Sequence, residues 1–496
     1  MDGLRDPTTI FFQYVGVRRS IIASYWMVIF LALPLWWNTT SIERLSLPSS
    51  EVYAQADAHR QFQLPIRIAL DPTFASRDSS LSATLQSYLQ AAVGNTALQV
   101  QVDVTQDREE GVYVVLPSSS PEVAVEGRNL FYPLDKASAH SLADTLASLL
   151  IPAKDHRVAQ YSPRYRLAFT LLNEDSSAGQ VVNSWDVSSA ISRQIAPITS
   201  TLSNLHNFTI ESQVQFYAPL AFEPQNIDDG ARGLTPEQLT VFINSAEWTL
   251  SSSSSNDPVL HFLLFVPSAN RRPLRILNKD GLPTSSNSFL IPQWGGIVIT
   301  NLPDTPSEVR LSTTDLKPVF STFAQQLLTL LGVPRLHKGV SFTPSIQPNS
   351  WQIDTLLRLR TLENVARTSD TLRSTVNLVE QIPNMPVGEK VRDDVRDALK
   401  TLGGLSSSSP SPNVNLTGIF QQSSRALTRS QKAFFHPGML ALLYFPVEHK
   451  YAVYTPLFAS AIIPLIAAAA REFAAWKKQR REAQTQAQAQ ARQTQQ

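Results

Sequence analysis

"QLPIRIALDPTFASRDSSLSATLQSYLQAAVGNTALQVQVDVT", Gln63 to Thr105, is the stretch that decides the fold. Its two ends, "QLPIRIAL" and "ALQVQVDVT", are short and bounded by turn residues. The second alternates apolar and polar residues with a period of two, the pattern of a half-buried strand. Between them, "LSATLQSYLQAAV" places its apolar residues at helical spacing. Strand, helix, strand within about forty residues is the unit from which mixed α/β domains are built.

The same rhythm continues outward. "GVYVVLP" reads as a strand and "ASAHSLADTLASLLI" as a helix. After a turn-rich "KDHRVAQYSPR" the order recurs: "YRLAFTLLN" as strand, "WDVSSAISRQIAPITSTLSNL" as helix, "FTIESQVQFYAPL" as strand. "TPEQLTVFINSAEW" predicts a helix capped by Thr235 with Pro236 at its first position. "VLHFLLFVP", "PLRIL" and "GGIVITNL" follow as strands, and "TTDLKPVFSTFAQQLLTLLG" closes as a helix with Gly332 past its end. The halves 61–155 and 164–335 share an element order without a sequence repeat, so the pattern allows one lobe or two. "SSSSSND" at 251–257 reads as a flexible loop.

After Ser350 the texture becomes helical. "WQIDTLLRLRTLENVARTSDTLRSTVNLVEQI" predicts one long amphipathic helix, with Ile353, Leu356, Leu357, Val365, Leu372, Val376 and Val379 on its apolar stripe. "PNMP" separates it from "VGEKVRDDVRDALKTLGGL". A linker, "SSSSPSPNVN", leads to a third helix, "LTGIFQQSSRALTRSQKAFF".

Two apolar runs flank this material. "SIIASYWMVIFLALPLWW", Ser20 to Trp37, spans about 27 Å as a helix, enough for a thin bilayer. It is too long for a cleaved signal's apolar region, and "WWNTTS" is a poor cleavage site. "YAVYTPLFASAIIPLIAAAA", Tyr451 to Ala470, carries no charge, and its two prolines are tolerated in a membrane helix that has neighbours. Arg18 and Arg19 precede the first run; Arg471, Lys477, Lys478, Arg480 and Arg481 follow the second. The positive-inside rule places both tails in the cytosol and the long middle in the lumen of the secretory pathway. The sequons at Asn207 and Asn415 are then glycosylation sites, whereas "NTT" at Asn38 abuts the membrane. In "HPGMLALLYFPVEHK", Met439 to Phe445 reads as an interfacial turn, and Glu448, His449 and Lys450 mark the headgroup level.

Composition removes several function classes. With 42 basic and 41 acidic residues the net charge is +1, which argues against a nucleic-acid binder. No cysteine is present, so no disulfide, thiolate zinc site or cysteine nucleophile belongs to this chain. No G-x-S-x-G, H-E-x-x-H, Walker or G-x-G-x-x-G motif occurs. The reading therefore assigns no catalytic, cofactor or metal residue. Asp393, Asp394 and Asp397 are read as a solvated face interleaved with Lys390, Arg392, Arg396 and Lys400. His261 reads as a core residue, and Trp294 to Gly296 as a tight turn.

Four blocks carry a family resemblance: "RRSIIASYWMVIFLALPLWWNTTSIERLSLP", "PQWGGIVITN", "WQIDTLLRLRTLENVARTSDTLRS" and "KAFFHPGMLALLYFPVEHKYAVYTPLFASAIIPLIAAAAREF". Together they resemble the PIG-S family, in a fungal style. The resemblance implies a non-catalytic subunit of the glycosylphosphatidylinositol (GPI) transamidase of the endoplasmic reticulum membrane. That enzyme cuts a proprotein near its C-terminal end and joins the new carboxyl to the ethanolamine amine of a GPI lipid. The implied partners are PIG-K, which carries the catalytic cysteine, PIG-T, PIG-U and a GPAA-type subunit. Membrane lipids and the proprotein are further implied contacts.

The expected organisation is a cytosolic tail (1–19), a transmembrane helix (20–37), a membrane-proximal luminal segment (38–60) and a luminal α/β domain (61–335). A luminal helical region with a Ser/Pro linker (350–433), an interfacial segment (434–450), a second transmembrane helix (451–470) and a partly disordered cytosolic tail (471–496) complete it. Two other functions compete with the scaffold. One is an independent luminal enzyme, for which Glu448 and His449 are the only nearby pair; the other is a cargo-binding receptor.

Overall fold

The stretch from Gln63 to Thr105 folds as its pattern dictates, and the rest of the sheet structure assembles around such units. The computed structural model describes residues 14–40, 43–58, 62–94, 97–105, 111–136, 138–151, 158–179, 181–227, 230–250, 255–303, 309–337, 339–342, 347–382, 385–407, 415–440 and 447–493. The N-terminal tail before Tyr14 and most of the serine loop, of the "SSSSPSPNVN" linker and of the segment between Met439 and Pro446 lie outside the described residues.

Helices α1 (Val15–Thr40) and α2 (Ser49–Ala58) come first. β1 (Leu64–Leu70), α3 (Pro72–Arg77), α4 (Leu81–Val93), β2 (Leu98–Val104), β3 (Tyr113–Ser118), β4 (Val123–Glu126), β5 (Asn129–Pro133) and α5 (Ala139–Leu150) make the first half. The second half opens with β6 (Arg164–Asn173), β7 (Val182–Trp185), α6 (Val187–Ala190), a π turn, α7 (Ala196–Thr201) and β8 (Asn207–Gln215). It continues through β9 (Gln225–Asn226), β10 (Arg232–Leu234), α8 (Pro236–Thr240), β11 (Val259–Val266) and β12 (Leu274–Ile276). β13 (Ser288–Ile291), β14 (Gly295–Ile299), β15 (Val309–Leu311) and α9 (Thr313–Leu331) end it. β16 (Val340–Phe342) and helices α10 (Ser350–Gln381), α11 (Glu389–Ser407), α12 (Leu416–Phe434), α13 (Pro437–Leu440) and α14 (Val447–Gln493) finish the chain.

The two halves correspond to two largely parallel sheets. One has six strands in the order β16-β4-β5-β3-β1-β2, the other five in the order β13-β14-β11-β6-β8. They are not independent tandem lobes, because β16, which follows the second half, returns to pair with β4 of the first (Val340 beside Val123). β6 and β11 lie inside the second sheet and are buried almost throughout, as expected for unbroken apolar runs in a sheet covered on both faces. Phe169, Phe262, Phe320 and Phe323 meet on the face under α9, with the Phe169 and Phe262 rings 5.1 Å apart. Leu263, Phe265, Ile297 and Ile299 line the other face, beneath Phe242 and Trp248.

Chain contacts divide the molecule into two compact units. One comprises 55–367 and 400–427, holding both sheets; the other comprises 1–54, 368–399 and 428–496, holding α1 and α14.

Three expectations differ from the structure. The helix predicted over Thr235–Trp248 stops after α8, although its capping box between Thr235 and Gln238 forms. Phe242 and Trp248 both enter the same core cluster. Six residues apart on a helix they would sit about 240° around the axis from each other. Asn244 and Trp248 instead donate to the Pro219 carbonyl at 3.1 and 3.0 Å, which holds the segment open. Secondly, the glutamine- and alanine-rich tail, read as partly disordered, is helical as far as Gln493. Ala, Gln, Glu and Arg favour helix, and a helix already nucleated at Val447 propagates without a new nucleation cost. Thirdly, α10 is buried on more than its apolar stripe. Asp354, Thr355, Arg358, Arg360, Thr361 and Asn364 are all buried.

Candidate functional site

The exposed apolar surface is concentrated on two helices. Gly16–Trp36 and Phe458–Gln488 are long and apolar enough to cross a membrane, and nothing in their most apolar windows is buried. Tyr25, Met27, Val28, Phe30 and Leu31 stand open on α1, as do Ile463, Ile466 and Phe473 on α14. Contiguous apolar surface of this size is not stable in water and belongs in lipid or against a partner.

The two helices pair with each other at both ends. Arg18 and Arg19 reach Glu472, the second at 3.1 Å. Trp36 meets Tyr454 and Phe458 edge to face, with centroids 6.2 and 5.3 Å apart. The helices therefore run antiparallel, and residues before Arg18 and after Glu472 leave at the same end. α14 begins at Val447, so Glu448, His449 and Lys450 occupy its first turn. Their side chains lie outside the described residues.

Beyond α1 the chain is tied to the end of α10. Arg44 donates to the Val379 carbonyl at 2.7 Å, and the Tyr53 hydroxyl donates to the Asn377 side chain at 2.7 Å. Backbone bonds between Glu43, Leu45 and Val387 extend the tie.

The aspartates of α11 do not form a purely solvated face. Asp393, Asp394 and Asp397 line an open cavity of about 660 Å³ together with Lys390, Arg429 and Lys432. Asp394 accepts from Arg429 of α12 at 2.7 Å, and Asp393 is paired with Arg392 at 3.0 Å. Among the described residues no group of three His, Cys, Asp or Glu side chains could hold a metal ion.

His261 stacks on Trp294 with ring centroids 4.6 Å apart, and is buried. Trp294 ends the turn into β14, and the two glycines that follow are needed for close approach. A Cβ at Gly295 would stand 2.0 Å from the His261 carbonyl oxygen; one at Gly296 would stand 1.9 Å from Oε1 of Gln326. "WGG" is thus a packing device between β11, β14 and α9.

The sequons differ in setting. Asn207 is exposed at the first position of β8. Asn415 is exposed just before α12, and its Oδ1 accepts from the Gly418 N–H at 3.2 Å. That cap uses the oxygen and leaves the amide nitrogen, the atom a glycan would take.

Sequence reasoning missed a buried polar cluster on α10. Asp354 accepts from the Tyr113 hydroxyl at 2.7 Å and from Arg128 Nε at 2.8 Å. Arg358, 4% exposed, donates to the same Tyr113 hydroxyl and lies over its ring at 5.1 Å. Two residues on, Arg360 donates to the Leu331 carbonyl at 2.9 Å, at the end of α9. Burial pushes the Tyr113 hydroxyl far up, so it remains a neutral relay between carboxylate and guanidinium. The only signal was the density of Thr, Arg and Asn beside apolar residues in "DTLLRLRTLEN", which breaks a clean amphipathic stripe.

Two histidines make the fold acid-sensitive. His206 donates from Nδ1 to the Ser162 carbonyl at 2.7 Å, while its buried Nε2 has no hydrogen-bond partner among the described residues. Burial, reinforced by nearby Arg360, pulls its pKa down to about 4; burial and Arg166 pull His261 to about 4 as well. The folded chain then binds fewer protons than the unfolded one. Stability is complete above about pH 6.5 and is lost as the pH falls towards 4. Between pH 7 and 5 the loss is on the order of 2 kcal/mol for each histidine. Chemical denaturation at the two pH values checks this, and His206→Gln is expected to flatten the dependence.

Comparison with known proteins now decides the family. Residues 23–113 and 120–479 match the model of the PIG-S family, described as phosphatidylinositol-glycan biosynthesis class S protein.

The chain belongs to the PIG-S family.

Relatives agree across kingdoms. The chain is 30% identical to the GPI transamidase component PIG-S homolog of Schizosaccharomyces pombe, over 90% of this chain and 82% of that one. It is 29% identical to the human GPI-anchor transamidase component PIGS, over 93% of this chain and 96% of that one. It is 26% identical to the GPI transamidase component GPI17 of Saccharomyces cerevisiae, over 86% of each. The family match takes in the second sheet, the first sheet apart from residues 114–118 of β3, most of each membrane-length helix and the buried α10 cluster of this PIG-S member.

Proposed function

We propose that this chain is a non-catalytic subunit of the GPI transamidase, holding a large luminal domain beside the endoplasmic reticulum membrane. The observation that carries the reading is the family match over nearly the whole chain, with relatives named as components of that enzyme. The absence of cysteine supports the division of labour, since a cysteine nucleophile has to come from another subunit. In this reading α1 and the apolar part of α14 span the membrane. The basic residues beside Arg18 and after Ala470 hold both tails in the cytosol. PIG-K, PIG-T, PIG-U and a GPAA-type subunit are the partners.

Affinity purification of the tagged chain in mild detergent tests this. A cysteine-protease-like chain should be recovered with it in fixed ratio. Recovery of a lone monomer overturns the reading.

The luminal placement has its own measurement. Asn207→Gln and Asn415→Gln are each expected to remove one glycan's worth of mass, seen as a step in gel mobility that a glycosidase abolishes in the parent chain. Mobility unchanged by glycosidase would count against the luminal placement.

A further inference from the structure

We propose that β8 is a docking edge that accepts an extended strand from a partner protein, adding a sixth strand to the second sheet. The inference rests on the reading of this chain as one subunit of an assembly.

β8 is the last strand of its sheet and is nine residues long. The Asn207 N–H donates to the Pro163 carbonyl at 2.9 Å, towards β6. Along a strand of a parallel ladder, the N–H and C=O of one residue point the same way and those of the next point oppositely. Asn207, Thr209, Glu211, Gln213 and Gln215 therefore serve the sheet. Phe208, Ile210, Ser212 and Val214 direct their backbone groups outward. No protein hydrogen bond meets those outward groups among the described residues.

The other sheet ends differ. β2 is the edge of the first sheet, and α4 closes it with side chains. Gln86 accepts from the Val102 N–H at 2.7 Å and donates to the Val100 carbonyl, while Gln90 accepts from the Val100 N–H at 3.4 Å. β16 and β13, the remaining ends of the two large sheets, have three and four residues. Exposed edges are normally blunted by lysine, proline, a bulge or a cover, because a row of free backbone groups recruits another strand. "NFTIESQVQ" contains no Lys, Arg or Pro, and its register with β6 is unbroken.

The side chains indicate the partner. Phe208 and Val214 sit against the core under α9, and Ile210, on the same face by strand alternation, is 37% exposed. Main-chain bonds would supply affinity and alternate side chains specificity. The incoming strand needs an apolar residue facing Ile210. Asn207 projects from the opposite face, so a glycan there leaves the edge open.

Hydrogen exchange on the full chain, free and in its purified complex, tests the proposal. The amides of Phe208, Ile210, Ser212 and Val214 are expected to exchange at least tenfold more slowly in the complex. Equal rates overturn the inference, and so does protection traced to a second copy of this chain. Ser212→Pro removes only an outward donor, so it should leave the chain's melting unchanged and lower partner recovery at least tenfold. Ile210→Lys, an edge charge, should do the same. Full partner recovery with both variants also overturns it. A chain found alone in detergent sinks the subunit reading itself; a chain found in complex with freely exchanging edge amides sinks only the strand.

Discussion

Asp354→Ala is expected to destabilise the unit that holds the sheets by about 3–5 kcal/mol. The carboxylate is the hub of its cluster: it accepts from Tyr113 and from two nitrogens of Arg128, at 2.7, 2.8 and 3.2 Å. Its loss leaves the Arg358 guanidinium buried, with the Tyr113 hydroxyl as its one hydrogen-bond partner among the described residues. Removing one member of a buried charged group costs more than the group contributes as a whole, because the survivor cannot return to water. Asp354→Asn keeps the shape and an acceptor for Tyr113, so a smaller loss is expected from it. Equilibrium denaturation of the two variants against the parent provides the comparison. Equal, small losses for both would mean that the charge is unimportant and that water reaches Arg358.

Gly295→Ala is expected to cost about 3 kcal/mol, at the upper end for overpacking a core. The obstacle is backbone, not a side chain that can rotate away. The added methyl would lie 2.0 Å from the His261 carbonyl oxygen and 2.8 Å from its carbon. Relief requires β14 to part from β11, yet both are interior strands whose ladder runs from His261–Gly295 to Phe265–Ile299. Gly403→Ala provides the contrast. Gly403 is in α11 with open space where a Cβ would go. There the change should stabilise by about 0.5–1 kcal/mol, since alanine loses less entropy in a helix. Thermal melts of both variants check the opposite signs.

The elements with strong periodicity were legible because their chemistry is local. The alternation in "ALQVQVDVT", the helical spacing in "LSATLQSYLQAAV" and the Gly332 cap of α9 each depend on residues a few positions apart. α8 was overextended because the stop signal is not local: it is the Pro219 carbonyl, 29 positions from the Trp248 indole that donates to it. The buried cluster of Tyr113, Asp354 and Arg358 was invisible for the same reason, joining residues 241 and 245 positions apart. Nothing in "RLRTLEN" distinguishes an arginine that reaches water from one that must find a hydroxyl.

The sequence by itself determined the α/β alternation, the two membrane-length helices and the exclusion of a cysteine nucleophile. Each is set by composition or by spacing within one segment. The tertiary structure decided that α1 and α14 pair antiparallel, that "WGG" is a place of close strand approach, and that α10 is buried with its charges inside. It also decided that Gln86 and Gln90 close the β2 edge, while the outward backbone groups of β8 meet no protein hydrogen bond among the described residues. Those outcomes depend on which distant segments meet, and burial makes an unmatched polar group costly only once they have met.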